Sequence, residues 1–358
     1  MVSPALFFVY YLPMPQIIVP NQAPLNPKET ISMNAMAIPS FRRLLAEQRR
    51  NSHKILIHPC GGLGDEICAE PAIRWAIKEF KDKCDIYLLT RHKELYQHLE
   101  FKKVFDENKH TPDLDNFYVF QSYADSSHLK FEFVNHMNTQ CVDYASLIMF
   151  ALQIPDPRDK CILLKPSASD YQRVSIRPLN DVVIHAGKTW QSRTIPPDFW
   201  ADVILGLKKE GITPILIGSE SSDGKGYLDI SAEGCLDYRG KLSVMETVAL
   251  LHDSRVFLTN DSAPLHMAAS SPWSWIGFIA TAKHPDYISH WRKLPNLNRV
   301  EWAWRMQNFS KGGMWETMNT CPNNKNDIML DKVDPELLRS WLPEPSEMVS
   351  WAKEKLCI

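Results

Sequence analysis

A chain of 358 residues with 44% apolar and 23% charged residues is long enough for two cores and has the composition of an ordinary globular protein. Its formal net charge of −2 gives no electrostatic reason for nucleic acid to be the main partner. Eight cysteines, scattered without a C-x-x-C pair, argue against a zinc site or a disulfide framework and fit a reducing cytoplasm.

In chain order, the first twenty residues are apolar but interrupted by Pro4, Pro13, Pro15 and Pro20, and they lack a basic leader. A membrane span needs about 20 uninterrupted apolar residues, so neither a span nor a cleaved signal is expected. Residues 21–39 read as linker, and Ser40–Arg50 as a short basic helix that leaves peripheral contact with anionic lipid open. Lys54–His58 is a predicted strand. Pro59–Asp65 is a turn in which Gly61, Gly62 and Gly64 let the backbone approach a ligand. The following helix carries Ile73, Ala76, Ile77 and Phe80 on one face. Strand, glycine-rich turn and helix open a Rossmann-like unit, but the glycines do not form G-x-G-x-x-G, so no dinucleotide site is assigned. Asp65 stands at the junction of turn and helix, where the helix dipole favours an acid.

Asp85–Thr90 and Phe117–Gln121 are further predicted strands, Arg91–Leu99 a helix, and 138–153 an apolar helix. Asp113-Leu114-Asp115 matches a D-x-D metal motif only by chance, since nothing around it supports a metal. The Pro-punctuated stretch 155–180 reads as the interdomain linker. A second alternation then begins: strand Asp181–His185, a polar loop Ala186–Thr194, helix Pro197–Lys209 and strand Pro214–Ile217. The S-x-x-E of Ser243 and Glu246 is a capping box that opens the next helix.

Val256–Leu258 is strand-like, breaks at Thr259-Asn260-Asp261-Ser262, and restarts as a helix with Ser262 at its N-cap and Pro264 in the first turn. Unpaired N–H groups at such a start favour phosphate, and His266 adds a donor in the first turn or so. Asp261 lies at the carboxyl end of the strand, where open α/β sheets bind ligands. Trp275–Ala280 is another buried strand, 301–327 reads as irregular, and 345–356 as a closing helix. Eight of the eleven tryptophans lie beyond residue 270, which makes the C-terminal segment Trp-rich.

Four stretches, in order, resemble the glycosyltransferase family that includes the bacterial lipopolysaccharide heptosyltransferases. Gly61-Gly62-Leu63-Gly64-Asp65 with Pro71 is similar to its G-x-L/I-G-D…P motif. Val183–Gly187, followed by Arg193 and Pro196, resembles H-P-G…K/R-x-W-P. Gly218-Ser219-Glu220 is similar to its G-x-x-E segment, and Arg239–Ser243 through Asp261–His266 to G-K-x-S/T-L…N-D-S/T-G-P-x-H. The chain departs where Ala263 replaces a glycine and Ile195 a tryptophan. The resemblance implies an α/β fold of the GT-B type, two facing Rossmann-like domains with parallel sheets, here with an N-terminal extension and the Trp-rich C-terminal segment. It further implies an inverting, metal-independent sugar transfer from a nucleotide-diphosphate donor, ADP-linked by preference, to a saccharide or glycolipid acceptor. Asp65 would be the general base. Arg193, with Lys188 as second candidate, would hold the diphosphate, Glu220 the ribose, and Asp261, Ser262 and His266 the rest of the donor site.

The expected division is 1–50 extension, 51–170 acceptor domain, 171–300 donor domain and 301–358 a segment packing back across both. No cofactor beyond the nucleotide sugar is expected, and the location is cytoplasmic, with peripheral contact at the inner membrane face left open. A nucleotide-sugar epimerase or hydrolase of the same fold, and a non-catalytic nucleotide-binding scaffold, remain as alternatives.

Overall fold

The computed structural model describes residues 54–59, 61–122, 144–152, 154, 161–175, 177–178, 180–189, 193–220, 226–280, 302–305, 339 and 342–357. The extension at 1–50, all of 155–160 and most of the stretch 281–341 lie outside them. The first half contains β1 (Lys54–His58), α1 (Leu63–Phe80), β2 (Asp85–Thr90), β3 (Lys103–Asp106), β4 (Tyr118–Gln121), α2 (Tyr144–Leu152) and α3 (Ala168–Val174). The second contains β5 (Asp181–His185), β6 (Gly187–Lys188), α4 (Pro197–Lys209), β7 (Thr213–Leu216), β8 (Gly226–Tyr227) and β9 (Leu236–Asp237). It continues with α5 (Val244–Asp253), β10 (Val256–Asn260), α6 (Ala263–Ala268), β11 (Trp275–Ala280), β12 (Trp302–Arg305) and α7 (Pro345–Leu356).

Two parallel sheets result. The first has the order β3-β2-β1-β4 and the second β12-β11-β10-β5-β7-β9. Ile57 on β1 stands opposite Leu88 and Phe120, and Ile184 on β5 opposite Leu216 and Leu258. The order in which the chain adds strands reverses once in each sheet, between β1 and β4 in the first and between β5 and β10 in the second. Beyond the carboxyl ends of strands at such a reversal lies the crevice in which open α/β sheets bind ligands. The architecture is the α/β arrangement of GT-B glycosyltransferases.

Why β5 is an unbroken apolar run follows from its two covered faces. Val183 belongs to one buried cluster, with Ile215, Phe257 and Leu265, while Val182 and Ile184 belong to another, with Trp200, Val203, Met348 and Ala352. Alternate residues point to opposite layers, so a strand buried on both sides needs apolar residues throughout. The first cluster continues through α5 and α2 into the core of the first sheet. In the closing segment, α7 packs on α4 over the second sheet.

A buried carboxylate fastens the passage between the halves. Glu70 on α1 accepts from the Leu163 amide at 2.9 Å and from Arg74 Nε at 2.8 Å, and Arg74 also donates to the Cys161 carbonyl at 2.6 Å. His98 Nε2 lies 3.0 Å from the same carboxylate.

Three elements differ from expectation. Arg91–Leu99 holds only a 3-10 turn at Lys93–Tyr96, just after the point where Thr90 Oγ1 takes the His92 amide at 2.9 Å. The stretch 155–180 contains α3, started by a reciprocal cap between Ser167 and Asp170. Trp302–Arg305, read as irregular, joins β11 in register as a strand at the edge of the sheet, a pairing that only a neighbouring strand can dictate. The capping box of Ser243 and Glu246 forms as expected, at 2.7 and 3.1 Å. Asp113 turns its carboxylate onto the Asp115 amide, a local cap.

Candidate active site

The reversal between β5 and β10 is where the polar residues of the second half converge in space. Asn260, fully buried at the end of β10, accepts from the Gly187 amide at 2.9 Å. Its amide donates to the Gly187 carbonyl at 3.0 Å and the Arg193 carbonyl at 2.7 Å. This one side chain thus pins the loop after β5 to the end of β10. A Cβ at Gly187 would stand 2.7 Å from both Asn260 Oδ1 and His185 Cε1, so the clamp requires glycine. Sequence reasoning noted Asn260 only as a break between strand and helix, because its partner lies 73 residues away.

The clamp delivers Arg193 beside Asp261, and Arg193 Nη1 donates to Asp261 Oδ2 at 2.9 Å. Their side chains are 14% and 5% exposed, so the guanidinium is fixed at the carboxyl end of β10. Ser262 occupies the N-cap position of α6 but does not cap it with its hydroxyl. Its Oγ instead lies 3.0 Å from His185 Nδ1 and bonds the Asn260 carbonyl at 3.1 Å. Burial pushes the His185 imidazole down to about 4, against a hydrogen bond with the Gly226 backbone, so the ring is neutral at ordinary pH. With only six residues, α6 carries a small dipole, and a fixed cation has to supply most of the attraction for an anion here.

Glu220 follows β7, one strand over from β5. Its carboxylate is exposed and accepts from the Tyr227 hydroxyl at 3.1 Å. Lys188, on β6, has an exposed side chain. Arg239, from the G-K-x-S-like stretch, is held by both oxygens of Asp237 at 2.8–2.9 Å and braces the β8 loop.

Asp65 sits at the reversal of the first sheet, in the first turn of α1. Its Oδ2 accepts the Gly62 amide at 2.8 Å. A Cβ at Gly61 (φ +125°) would come within 2.7 Å of that same oxygen. Gly64 faces the other half: a Cβ there would stand 3.4 Å from His266 Cδ2 and 3.5 Å from Ala263 Cα. The turn that carries Asp65 therefore abuts the start of α6, and the two reversals meet across one junction. Around the same edge of the first sheet, Arg91 grips Glu107 with two bonds of 3.1 Å, and His58 Nε2 approaches Glu107 at 3.3 Å. Burial raises the Glu107 carboxyl and these bonds outweigh it, leaving it below the usual range. Buried Glu66 is pushed up by its burial, opposed by a 2.5 Å bond from Thr90. Neither cluster has a motif in the sequence, because its members come from different elements of the first half.

Among the described residues no group of three or more His, Cys, Asp or Glu is arranged to hold a metal ion, and no helix is long and apolar enough to cross a membrane.

Comparison with known proteins adds a family and a set of folds. The model of glycosyltransferase family 9 (heptosyltransferase) matches residues 122–312. No curated protein sequence matches. Among solved structures, the family 9 glycosyl transferase of Veillonella parvula DSM 2008 is similar with a TM-score of 0.52 at 12% identity, over 85% of this chain and 96% of its own. The iron-containing dodecameric glycosyltransferase TibC of enterotoxigenic E. coli H10407 gives 0.56 at 17%, over 85% and 76%. E. coli ADP-heptose lps heptosyltransferase II gives 0.52 at 14%, over 85% and 98%. At these identities the structural likeness speaks to the fold.

Proposed function

The chain belongs to glycosyltransferase family 9, and from that membership we propose that it moves a sugar from a nucleoside-diphosphate donor at the second sheet to an acceptor hydroxyl at the first. The observation that carries this reading is the meeting of the two sheet reversals, with Asp65 on one side of the Gly64–Ala263 junction and the Asn260–Arg193–Asp261 clamp on the other. Asp65 takes the proton of the acceptor hydroxyl as its oxygen attacks the anomeric carbon. The bond from that carbon to the diphosphate breaks, and the diphosphate leaves with the bonding pair. A single displacement of this kind inverts the anomeric centre and needs one carboxylate base. Arg193 meets the growing charge on the leaving group, which lets the step run without a metal ion. Asp261 acts by orienting Arg193, since a carboxylate aimed at a diphosphate would repel it. Ser262 and His266 shape the wall of the pocket, Lys188 adds a second cation at its mouth, and Glu220 receives the ribose. Gly61, Gly62 and Gly64 leave room for the acceptor turn.

The division into 51–170 as acceptor domain and 171–300 as donor domain is part of the same proposal, as is a saccharide or glycolipid acceptor. ADP-heptose is the donor to try first, because TibC was solved in complex with ADP-D-β-D-heptose. The test is calorimetric titration with ADP-, UDP-, GDP- and TDP-sugars, beside Asp261→Ala and Asp261→Asn. One nucleotide should bind selectively, and Asp261→Ala should weaken it at least tenfold by releasing the guanidinium. Transfer should persist in EDTA. Equal affinity in wild type and Asp261→Ala would move the donor site elsewhere.

A further inference from the structure

Glu220 is an exposed carboxylate on a loop, which samples many rotamers and by itself is a poor grip for a diol. The structure supplies the missing support in Tyr227. This residue lies on β8, which runs antiparallel to β6 and places Tyr227 opposite Gly187. Gly187 is the residue that Asn260 clamps, so the backbone of Tyr227 is tied to the donor loop. The adjoining Leu228 amide donates to the Ala186 carbonyl at 2.9 Å.

The ring is held as firmly. Gly218, at φ +147°, makes room for it: a Cβ there would come within 2.7 Å of Tyr227 Cβ and 3.0 Å of Cδ1. The Arg239 guanidinium lies over the ring, 5.1 Å from its centre. That guanidinium is immobilised by both oxygens of Asp237 and by the carbonyls of Leu228 and Ile230, at 2.8–3.1 Å. From this fixed frame the Tyr227 hydroxyl donates to Glu220 Oε1 at 3.1 Å.

We propose that Tyr227 is a positioning residue for the nucleoside half of the donor: its hydroxyl holds one oxygen of Glu220 so that the other accepts from the vicinal hydroxyls of a ribose. The inference rests on the reading of this cleft as a nucleoside-diphosphate site. It makes the site selective for ribonucleotides over their 2′-deoxy analogues, since a site built to bond a hydroxyl rejects the ligand that lacks it.

The experiment titrates the full chain with ADP, 2′-deoxy-ADP and inorganic pyrophosphate, in wild type, Tyr227→Phe, Glu220→Gln and the double variant. Phenylalanine keeps the ring packed between Gly218 and Arg239, so the fold is preserved. Tyr227→Phe should weaken ADP about three- to tenfold, the worth of one hydrogen bond. It should leave pyrophosphate unchanged and shrink the preference for ADP over 2′-deoxy-ADP. The double variant should bind ADP no more weakly than Glu220→Gln alone, because the hydroxyl acts through that carboxylate. Undiminished ADP affinity in Tyr227→Phe, or equal losses for all three ligands, overturns the inference while the transfer reading stands. A wild type that binds pyrophosphate but neither ADP nor any other nucleoside diphosphate overturns both.

Discussion

Asp65 owes its place to two neighbours without side chains. The Gly62 amide holds one carboxylate oxygen, and Gly61 leaves the space that oxygen occupies. If Asp65 is the base, Asp65→Asn should lower turnover by about two to four orders of magnitude with donor affinity unchanged. Single-turnover transfer beside calorimetry separates the two, and unaltered turnover would remove Asp65 from the reaction. A second prediction concerns protons. Burial holds the His252 ring down to about 4, beside the Tyr171 hydroxyl at 3.1 Å and Ser270 at 2.6 Å. The unfolded chain takes up this proton below its ordinary 6.5, the folded chain only near 4. Stability from this group is therefore complete above pH 6.5 and is lost as pH falls towards 4, by about 3 kcal/mol across the window. Urea midpoints measured against pH should show a shallower acid limb for His252→Asn than for wild type, whatever the variant's overall stability.

Elements carry the next level of constraint. The turn between β1 and α1 works only with glycine at its start, because φ +125° is strained for any other residue and the Cβ meets Asp65. Gly61→Ala should cost about 1–3 kcal/mol of stability. It should also depress turnover out of proportion to that loss, because the carboxylate is displaced. Thermal melting and transfer rates together check this, and a loss of stability with full turnover would break the link between turn and base. The loop after β5 obeys a similar rule at Gly187, where the obstacle is Asn260 and His185.

At the scale of the whole molecule, the proposed transfer depends on the meeting of two sheets. Gly64 lies at that meeting, in ordinary van der Waals distance of α6 for one added carbon and no more. Gly64→Ala should therefore leave transfer close to wild type. Gly64→Leu should wedge the halves apart, abolishing transfer while nucleoside-diphosphate binding at the second sheet survives. Small-angle scattering should record a larger radius of gyration for the leucine variant alone. Full transfer in Gly64→Leu would mean that the halves need not close on this contact. On the same helix as Gly64, Glu70 and Arg74 anchor the passage at 161–163 to α1.

How much of this could be read without coordinates depends on the range of each interaction. Local physics writes itself into the chain: the apolar runs of β1, β5 and β10, the helical stripe of α4, the cap at Ser243 and the glycine turn before Asp65 all involve residues within a few positions of one another. The family motifs are legible for the same reason, each being a short strand end with its loop. What the tertiary structure alone decided is long-range. The clamp from Asn260 to Gly187, the grip of Asp261 on Arg193, and the contact of Gly64 with Ala263 and His266 join residues far apart in the chain. Even Ser262, whose capping position was readable, spends its hydroxyl on His185 from another strand. Side chains at strand ends choose partners by which strands lie adjacent, and strand order is set by the packing of the whole sheet rather than by any short stretch of sequence.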